Sequence, residues 1–291
     1  TYKYYKIMAI KRILHIIGKM DRAGAETMVM NLYRTIDRKC FQFDFVVFTK
    51  DKGDFDVEIL SLGGKIYTLV ESNPILRMLA LKNLLIKHPE YKIVHTHTLF
   101  SNAFHLWAAK IANVPYRIAH SHNTSASSKG KLIDFIYRNV SRKIINKYAT
   151  HFIGCGNAAA KFLFPTQKEV MFLPNSIETK KFAKIGKTHK DYLNNEFNVD
   201  ESYLKIIQVG RLQHVKNPFF SIKIAEKLKE KNVKFKMFFV GQGDLYNTLN
   251  DVINIKNLSS EVFLLGVRSD IPELMAGADV LLMPSLHEGF P

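Results

Sequence analysis

The sequence predicts an α/β protein that is built from two parallel-sheet domains. Short apolar runs, rich in branched and aromatic residues, alternate with segments of helical periodicity along most of the chain. This alternation is typical of doubly wound sheets, in which a helix follows each strand. The length of 291 residues and the hydrophobic content of 47% are enough for two cores. We therefore expect two Rossmann-like domains.

The predicted strands fall into two series that are separated by a polar stretch. The first series is Arg12–Ile17, Phe43–Phe48, Lys65–Val70, Ile93–Thr98, Tyr116–His120, Thr150–Cys155 and Val170–Leu173, and the second is Leu204–Val209, Phe235–Val240, Val262–Leu265 and Val280–Met283. The stretch between them is charged and lacks a strong period. It predicts a first domain over residues 1–178, a linker with a short helix over 179–203, and a second domain over 204–291.

One helix of the second domain has a clear start in the sequence. Asn217 can cap it, and Pro218 fits the first helical position, where no amide hydrogen is needed. Apolar residues then recur at helical spacing as far as Lys229. We expect a helix over Pro218–Lys229.

Cysteine usage and hydropathy point to a cytoplasmic protein. The two cysteines, Cys40 and Cys155, have neither a metal-type nor a redox-type spacing, which favours a reducing compartment. The first residues lack the apolar core of a signal peptide, and no stretch reaches the roughly 20 apolar residues of a membrane span.

The positive charge is concentrated in the first domain. Residues 1–180 contain 27 Lys and Arg against 13 Asp and Glu, a net charge of +14, whereas the remaining residues have 15 against 13. Such a field attracts anionic membranes, nucleic acids or diphosphate substrates. We favour peripheral binding to an anionic membrane over a merely solubilising surface. Nucleic acid is the weakest candidate, because no nucleic-acid-binding module is visible.

Charged and small residues follow the strands of the second series. Arg211 and Lys216 come after the first strand, and Lys216 lies just before a predicted helix N-terminus, so both cations and the helix dipole can converge on one anion. Glycines at 241 and 243 follow the next strand and permit either close approach to a ligand or a tight turn. The chain ends with Glu288, Gly289, Phe290 and Pro291 after the last strand.

Histidines and small residues occupy the strand ends of the first series. His95 with His97, and His120 with His122, can each share a face, and the two strands can be neighbours. Three interpretations compete: polar residues at the end of a sheet, a four-histidine zinc site, or a histidine that contacts substrate. We favour the last, because the carboxylate or Cys partners typical of many zinc sites do not accompany them.

The motifs together resemble the retaining glycosyltransferases of family four, which have the GT-B architecture of two Rossmann-like domains facing across a cleft. The resemblance is closest to bacterial capsule and exopolysaccharide enzymes. It rests on Gly210-Arg211 with Lys216-Asn217, on Glu288-Gly289-Phe290, on Gly24-Ala25-Glu26, and on His120-Ser121-His122-Asn123. A dehydrogenase is disfavoured, since the turn after the first strand lacks Gly-x-Gly-x-x-Gly.

This resemblance implies that the domain over residues 1–178 binds the acceptor and that the domain over 204–291 binds the nucleotide sugar. It also implies roles for individual residues. The implied donor set is Gly210, Arg211, Lys216, Asn217, Gly241, Gly243, Gly266, Val267, Arg268, Glu288, Gly289 and Phe290; the implied acceptor set is Gly24, Ala25, Glu26, His97 and Asn123. Arg211, Lys216 and Glu288 are also implied in catalysis, with His122 first and His120 second as the histidine of the cleft.

The resemblance also implies the reaction. A sugar moves with retention from a nucleotide diphosphate, with UDP favoured, to a saccharide acceptor that is lipid-linked, and neither a metal nor another cofactor is expected. A second Glu and its helix, which hold the ribose in the family, would follow Pro291, so we expect an incomplete second domain. Alternatives are an epimerase or phosphorylase on the same fold, or a non-catalytic module that binds sugar nucleotides or membranes.

Overall fold

The computed structural model describes residues 10–124 and 132–286. The chain divides into a first compact unit that ends at Ile177 and a second that begins at Glu178. This division lies one residue from the domain boundary predicted at residue 178. Each unit contains one parallel sheet, as predicted.

The first unit is a seven-stranded parallel sheet. Its strands are β1 (Lys11–Ile16), β2 (Phe41–Val47), β3 (Ile66–Thr68), β4 (Ile93–Thr96), β5 (Tyr116–Ser121), β6 (His151–Gly154) and β7 (Met171–Phe172). Their order in the sheet is β3-β2-β1-β4-β5-β6-β7. The reversal of order between β1 and β4 is the type of topological switch point beside which ligands bind in doubly wound folds.

Helices connect these strands in sequence. They are α1 (Gly24–Thr35), α2 (Asp56–Ser61), α3 (Pro74–Lys87), α4 (Asn102–Ile111), α5 (Leu132–Tyr148) and α6 (Asn157–Leu163). No helix in the described part of the chain is both long enough and apolar enough to cross a membrane.

The sheet of the first unit is buried on both faces. Leu14 and Ile16 of β1 pack in a cluster with residues of α3 and α4. Phe43 and Phe45 of β2 pack in a different cluster with residues of α1 and α2. Because neighbouring side chains of a strand point to opposite faces, such central strands read as nearly continuous apolar runs in the sequence.

A buried ion pair joins the first three strands of this sheet. The Asp44 carboxylate is fully buried and accepts hydrogen bonds from the Arg12 guanidinium, from Tyr91 Oη at 2.6 Å and from Lys65 N at 2.7 Å. Four donors on one carboxylate compensate for its lost hydration. Removing one partner would leave a charge stranded in the core.

The second unit is a four-stranded parallel sheet with the order β10-β9-β8-β11. Its strands are β8 (Leu204–Val209), β9 (Phe235–Val240), β10 (Val262–Leu264) and β11 (Val280–Leu281). Its helices are α7 (Thr179–Thr188), α8 (Tyr192–Phe197), α9 (Pro218–Glu230), α10 (Tyr246–Ile255) and α11 (Ile271–Ala276).

The stretch 179–203, which the sequence predicts as a linker with one short helix, is instead folded into the second unit. It forms α7 and α8, and Leu193 and Val199 are buried against Ile207 and Phe238 of the sheet. Few of its residues are apolar, and α7 has no fully buried residue. The contacts that hold it are therefore tertiary ones, which a search for periodicity does not detect.

The start of α9 also differs in detail from the prediction. The helix begins at Pro218 as expected, but Asn217 has a left-handed backbone (φ +51°) and its side chain makes no capping hydrogen bond. Instead, Asn217 Nδ2 donates to the carbonyl oxygen of Pro284 at 3.2 Å. A tertiary contact thus replaces the local cap.

The buried carboxylate leads to a stability prediction. We expect Asp44→Ala to lower the free energy of unfolding of the first unit by about 3–5 kcal/mol, because it strands the Arg12 charge. Glu58→Ala is the control: it breaks the Arg34–Glu58 pair, whose side chains remain 34% and 37% exposed, and should cost about 0–1 kcal/mol. Urea denaturation can be followed through Trp107, the single tryptophan, which lies on α4. Equal losses in both variants would contradict the importance of Asp44.

Candidate functional site

The loops that follow β8, β9 and β10 are bonded to one another through their backbones. Gly210 N donates to Val240 O at 2.9 Å, and Gly241 N donates to Gly266 O at 2.7 Å. Further along the same loops, Leu212 N donates to a carbonyl oxygen of the β9 loop at 3.1 Å. The carboxyl ends of three strands therefore form one continuous edge, where ligands bind in this type of sheet.

Two glycines allow these loops to approach each other. A Cβ at Gly241 would lie 2.1 Å from Gly210 O, and a Cβ at Gly243 would lie 2.4 Å from Leu212 O. Gly241 also has a positive φ of +136°, which side-chain-bearing residues rarely adopt. The sequence left open whether these glycines serve a ligand or a turn. The structure shows that they permit close packing of backbone against backbone.

A buried amide holds the segment that carries Lys216. Gln208, on β8, donates from Nε2 to Lys216 O at 2.9 Å, and its Oε1 accepts from Ser221 Oγ of α9 at 2.6 Å. Both Gln208 and Ser221 are buried. Neither residue was predicted from the sequence. A polar residue such as Gln208 within an apolar strand does indicate a buried hydrogen bond.

Arg211 and Lys216 lie on this edge beside the N-terminus of α9. Arg211 is exposed, and Lys216 is half-buried, with its stem close to Gly210: a Cβ on that glycine would lie 3.6 Å from Lys216 Cε. Helix N-termini have a partial positive charge from unpaired amide groups. Two cations and a helix N-terminus on a glycine-lined edge form an arrangement that suits a diphosphate.

The segment after β11 is attached to the same loop. Leu286 N donates to Val215 O at 2.8 Å, next to the Asn217–Pro284 contact described above. The chain therefore enters the predicted sugar-binding segment from a point beside Lys216. Glu288, Gly289 and Phe290 themselves lie outside the described residues.

The predicted donor residues 266–268 differ in their surroundings. Val267 is 66% exposed after the left-handed Gly266. The Arg268 guanidinium, in contrast, is bonded to Asp270 at 2.6 and 2.9 Å and to Glu196 at 3.1 Å. These bonds from Arg268 lower the pKa of Asp270 well below its usual range. The prediction that Arg268 contacts the donor can therefore concern only its backbone while this pairing holds.

In the first unit, register brings five histidines together at the carboxyl ends of β1, β4 and β5. His15 pairs with His95 in the parallel ladder, and His97 and His120 directly follow the paired residues Thr96 and Ala119 of β4 and β5. Ring centroids are 5.0 Å apart for His15–His95, 4.2 Å for His95–His97 and 4.0 Å for His120–His122. The predicted juxtaposition of the two pairs is present. His15 was not predicted, although it follows two apolar residues on a predicted strand.

Three of the rings form a hydrogen-bonded chain. His15 Nδ1 lies 3.0 Å from His97 Nε2, and His97 Nδ1 lies 2.9 Å from His122 Nε2. Both ring nitrogens of His97 are thus bonded inside the cluster. In this structure His97 links two other histidines, and its contact with the acceptor stays a prediction.

The remaining acceptor-side residues occupy the edge that follows β1 and β5. His122 and Asn123 come after the end of β5; His122 is half-buried and Asn123 is exposed, whereas His120 is fully buried. Exposure therefore favours His122 over His120 as the substrate-facing histidine. Gly24, Ala25 and Glu26 form the first turn of α1, and Gly24 is exposed.

Burial keeps these imidazoles neutral. It lowers the pKa of His15 to about 3 and that of His122 to about 4, and it holds the pKa values of His95 and His97 well below their usual range. Several ring nitrogens are buried without a hydrogen-bond partner in the described structure: His15 Nε2, His95 Nε2, both nitrogens of His120, and His122 Nδ1.

The histidine cluster predicts that the first unit loses stability in acid. Unfolded histidines take up protons near pH 6.5, while the folded ones stay neutral down to pKa values of about 4 for His122 and about 3 for His15. As pH falls from 6.5 towards 4, each such histidine should lower the free energy of unfolding by roughly 1.4 kcal/mol per pH unit. Urea midpoints from Trp107 fluorescence, measured with EDTA between pH 7.5 and 5, test this.

A matched variant isolates the effect of one histidine. Burial also lowers the pKa of His105, which lies outside the cluster, to about 3. His105→Gln should therefore reduce the slope of the free energy of unfolding against pH by the contribution of one histidine, roughly 1.4 kcal/mol per pH unit. A midpoint that does not change over this range would contradict the prediction.

Two family models match the chain, one to each unit. "Glycosyltransferase Family 4" matches residues 22–181, and "Glycosyl transferases group 1" matches residues 190–291. The first match covers more than half of the chain, and the two matches meet between residues 181 and 190, shortly after the division between the two structural units.

Relatives with assigned names match between 71% and 97% of the chain. EpsF of Bacillus subtilis, named as a glycosyltransferase, is 38% identical over 288 residues, which are 97% of this chain and 75% of EpsF. The capsular polysaccharide biosynthesis glycosyltransferase CapH of Staphylococcus aureus is 27% identical, over 96% of this chain and 76% of CapH. An Escherichia coli enzyme, UDP-Gal:α-D-GlcNAc-diphosphoundecaprenol α-1,3-galactosyltransferase, is 31% identical over 71% of this chain and 55% of its own length.

A solved structure supports the fold. HepE of Anabaena, crystallised with UDP and glucose, superposes with a TM-score of 0.74 and 18% identity, over 94% of this chain and 74% of HepE. Its likeness concerns the fold, which is that of a GT-B glycosyltransferase. With the family match and the relatives, it leads to one assignment: the chain belongs to Glycosyltransferase Family 4.

Proposed function

We propose that this glycosyltransferase moves a sugar from a UDP-sugar to a lipid-linked saccharide with retention, in the synthesis of a cell-surface polysaccharide. The observation that carries the donor half is the placement of Arg211, Lys216 and the N-terminus of α9 along one glycine-lined edge. The name of the E. coli relative specifies a UDP-sugar donor and a diphosphoundecaprenol acceptor. CapH acts in capsular polysaccharide biosynthesis, and HepE binds UDP, in accord with this choice.

Arg211 and Lys216 would act on the leaving group. Negative charge develops on the diphosphate as the sugar departs, and fixed cations aimed at that charge lower the barrier more than they stabilise the bound substrate. Gln208 supports this role, since it holds the Lys216 segment from within the sheet. Glu288, with Gly289 and Phe290, would hold hydroxyl groups of the transferred sugar, as carboxylates do.

The transfer itself can proceed on one face of the sugar. The bond from the anomeric carbon to the phosphate oxygen breaks, and a bond to the acceptor oxygen forms on the same side. We propose that the departing phosphate accepts the proton of the acceptor hydroxyl. His122, the half-buried histidine that follows β5, would orient the acceptor. With two cations supplying the charge neutralisation, the reaction would need no metal.

The donor proposal predicts the effect of two substitutions. We expect Arg211→Ala and Lys216→Ala each to weaken UDP binding by about 1.5–3 kcal/mol, the scale of a charge-assisted hydrogen bond, with little effect on folding. Lys223→Ala, an exposed lysine on α9, is the control and should bind UDP normally. Calorimetric titration with UDP, GDP and ADP makes the measurement. Unchanged affinity for every nucleotide in both variants would remove these residues from the donor site.

The membrane side of the proposal rests on α5. Its N-terminal half has an unusual concentration of exposed apolar side chains, with exposures of 40–74%: Leu132, Ile133, Phe135, Ile136, Tyr137 and Val140. Lys143 and Lys147 are exposed in its second half. Helix α5 thus combines an apolar face with cations, and residues 1–180 have a net charge of +14. These are the properties of helices that lie on the surface of an anionic bilayer.

This surface can be tested with two matched pairs of substitutions. We expect Ile133→Ser with Phe135→Ser to weaken binding to anionic vesicles at least about tenfold, since two apolar side chains lose their burial in lipid. Val57→Ser with Leu60→Ser removes apolar residues of 77% and 58% exposure from α2 and should leave binding unchanged. Vesicle sedimentation provides the readout, and binding should fall as salt is raised. Equal sedimentation with neutral and anionic vesicles would contradict the electrostatic part.

A further inference from the structure

The histidine cluster contains more unsatisfied nitrogen atoms than the proposed transfer uses. Both nitrogens of His120 and one each of His15, His95 and His122 are buried without a partner in the described structure. A buried polar atom without a partner costs roughly 1–3 kcal/mol. Such atoms call for a ligand that can use imidazole lone pairs.

The spacing of the rings suits a metal ion. His97, His120 and His122 each present one ring nitrogen such that the three atoms lie within 4.8 Å of one another. A tetrahedral zinc ion with Zn–N bonds of about 2.0–2.1 Å separates its ligand atoms by roughly 3.3 Å. His97 Nδ1 and His122 Nε2 are 2.9 Å apart, and a zinc ion bound between these two nitrogens would replace their hydrogen bond.

A second triad, His15 with His95 and His97, meets the same distance criterion but is less suitable. His15 and His95 are only 2% and 7% exposed, whereas His97 and His122 are half-buried and can admit an ion from solvent. His120 is also the ring with two unsatisfied nitrogens. These differences select the triad that contains His120.

We propose that His97, His120 and His122 form a binding site for one zinc-type divalent cation, and that its occupation inhibits sugar transfer. Three neutral imidazoles favour zinc and its neighbours among the transition metals, because magnesium and calcium prefer oxygen ligands. The inhibition rests on the proposed function: a metal bound by His122 engages the histidine that would otherwise orient the acceptor. The ion is thus an inhibitor, and the reaction itself still needs no metal.

Direct titration tests the site without any sugar transfer. The parent protein has the Cys40→Ser substitution, because that exposed thiol could otherwise bind zinc, and it is freed of metals with a chelator that is then removed. We expect one zinc ion per chain by calorimetry. His120→Gln and His122→Gln should each weaken zinc binding about a hundredfold or more. Even the mutation of residues that only hydrogen-bond to metal ligands lowers metal affinity about 10–100-fold.

The control is His105→Gln. His105 is also a buried histidine of the first unit, 2% exposed, but it is bonded to Thr98 outside the triad. It should bind zinc like the parent. His122 lies beyond the end of β5, so its variant keeps the test valid if the fully buried position 120 does not tolerate glutamine. Unchanged zinc affinity in His122→Gln, or a loss in His15→Gln in its place, would overturn the assignment.

An activity measurement tests inhibition separately. Transfer by the parent should be full in EDTA, fall on addition of one equivalent of zinc, and recover with excess EDTA. Undiminished transfer with zinc bound would refute the inhibition. Transfer without any zinc binding would refute the site alone, and zinc binding without transfer under any condition would refute the proposed function alone.

Discussion

Parallel strand pairing determines where the functional side chains of this protein lie. Within each sheet all strands run in the same direction, so their carboxyl ends meet at one edge. The pairing of His15 with His95 aligns residues that are 80 positions apart in the chain. The same constraint in the second sheet places the loops after β8 and β9 side by side. The positions of both candidate regions thus follow from the pairing of the strands.

The donor edge depends on small and buried residues more than on its charged ones. Gly241 and Gly243 let two loops approach so closely that a methyl group would collide with backbone. Gln208 then connects β8 to both the Lys216 segment and α9. The cations at this edge are therefore presented by a rigid support, which reduces the reorganisation needed when charge develops on a substrate.

Buried polar groups are handled in two different ways in the first unit. The Asp44 carboxylate receives donors from three neighbouring segments and is well satisfied. The histidine cluster is only partly satisfied, with several nitrogens that lack a partner in the described structure. The first arrangement stabilises the sheet. The second arrangement places ring nitrogens without hydrogen-bond partners near the switch point between β1 and β4. Ligands bind beside such switch points, so a ligand there could bond to these nitrogens.

The sequence by itself determined the architecture, because burial on both faces of a parallel sheet requires apolar runs that remain visible in one dimension. Strands such as Leu204–Val209 and Phe235–Val240 were predicted residue for residue, and the start of α9 followed from Pro218. Tertiary structure alone decided the rest. It brought His15 and Gln208 into the two candidate regions, directed the Asn217 side chain to the Pro284 carbonyl, bonded Arg268 to Glu196, and folded residues 179–203 onto the second sheet. Each of these contacts joins residues that come together only when the chain folds. Such contacts leave no periodic pattern in the sequence.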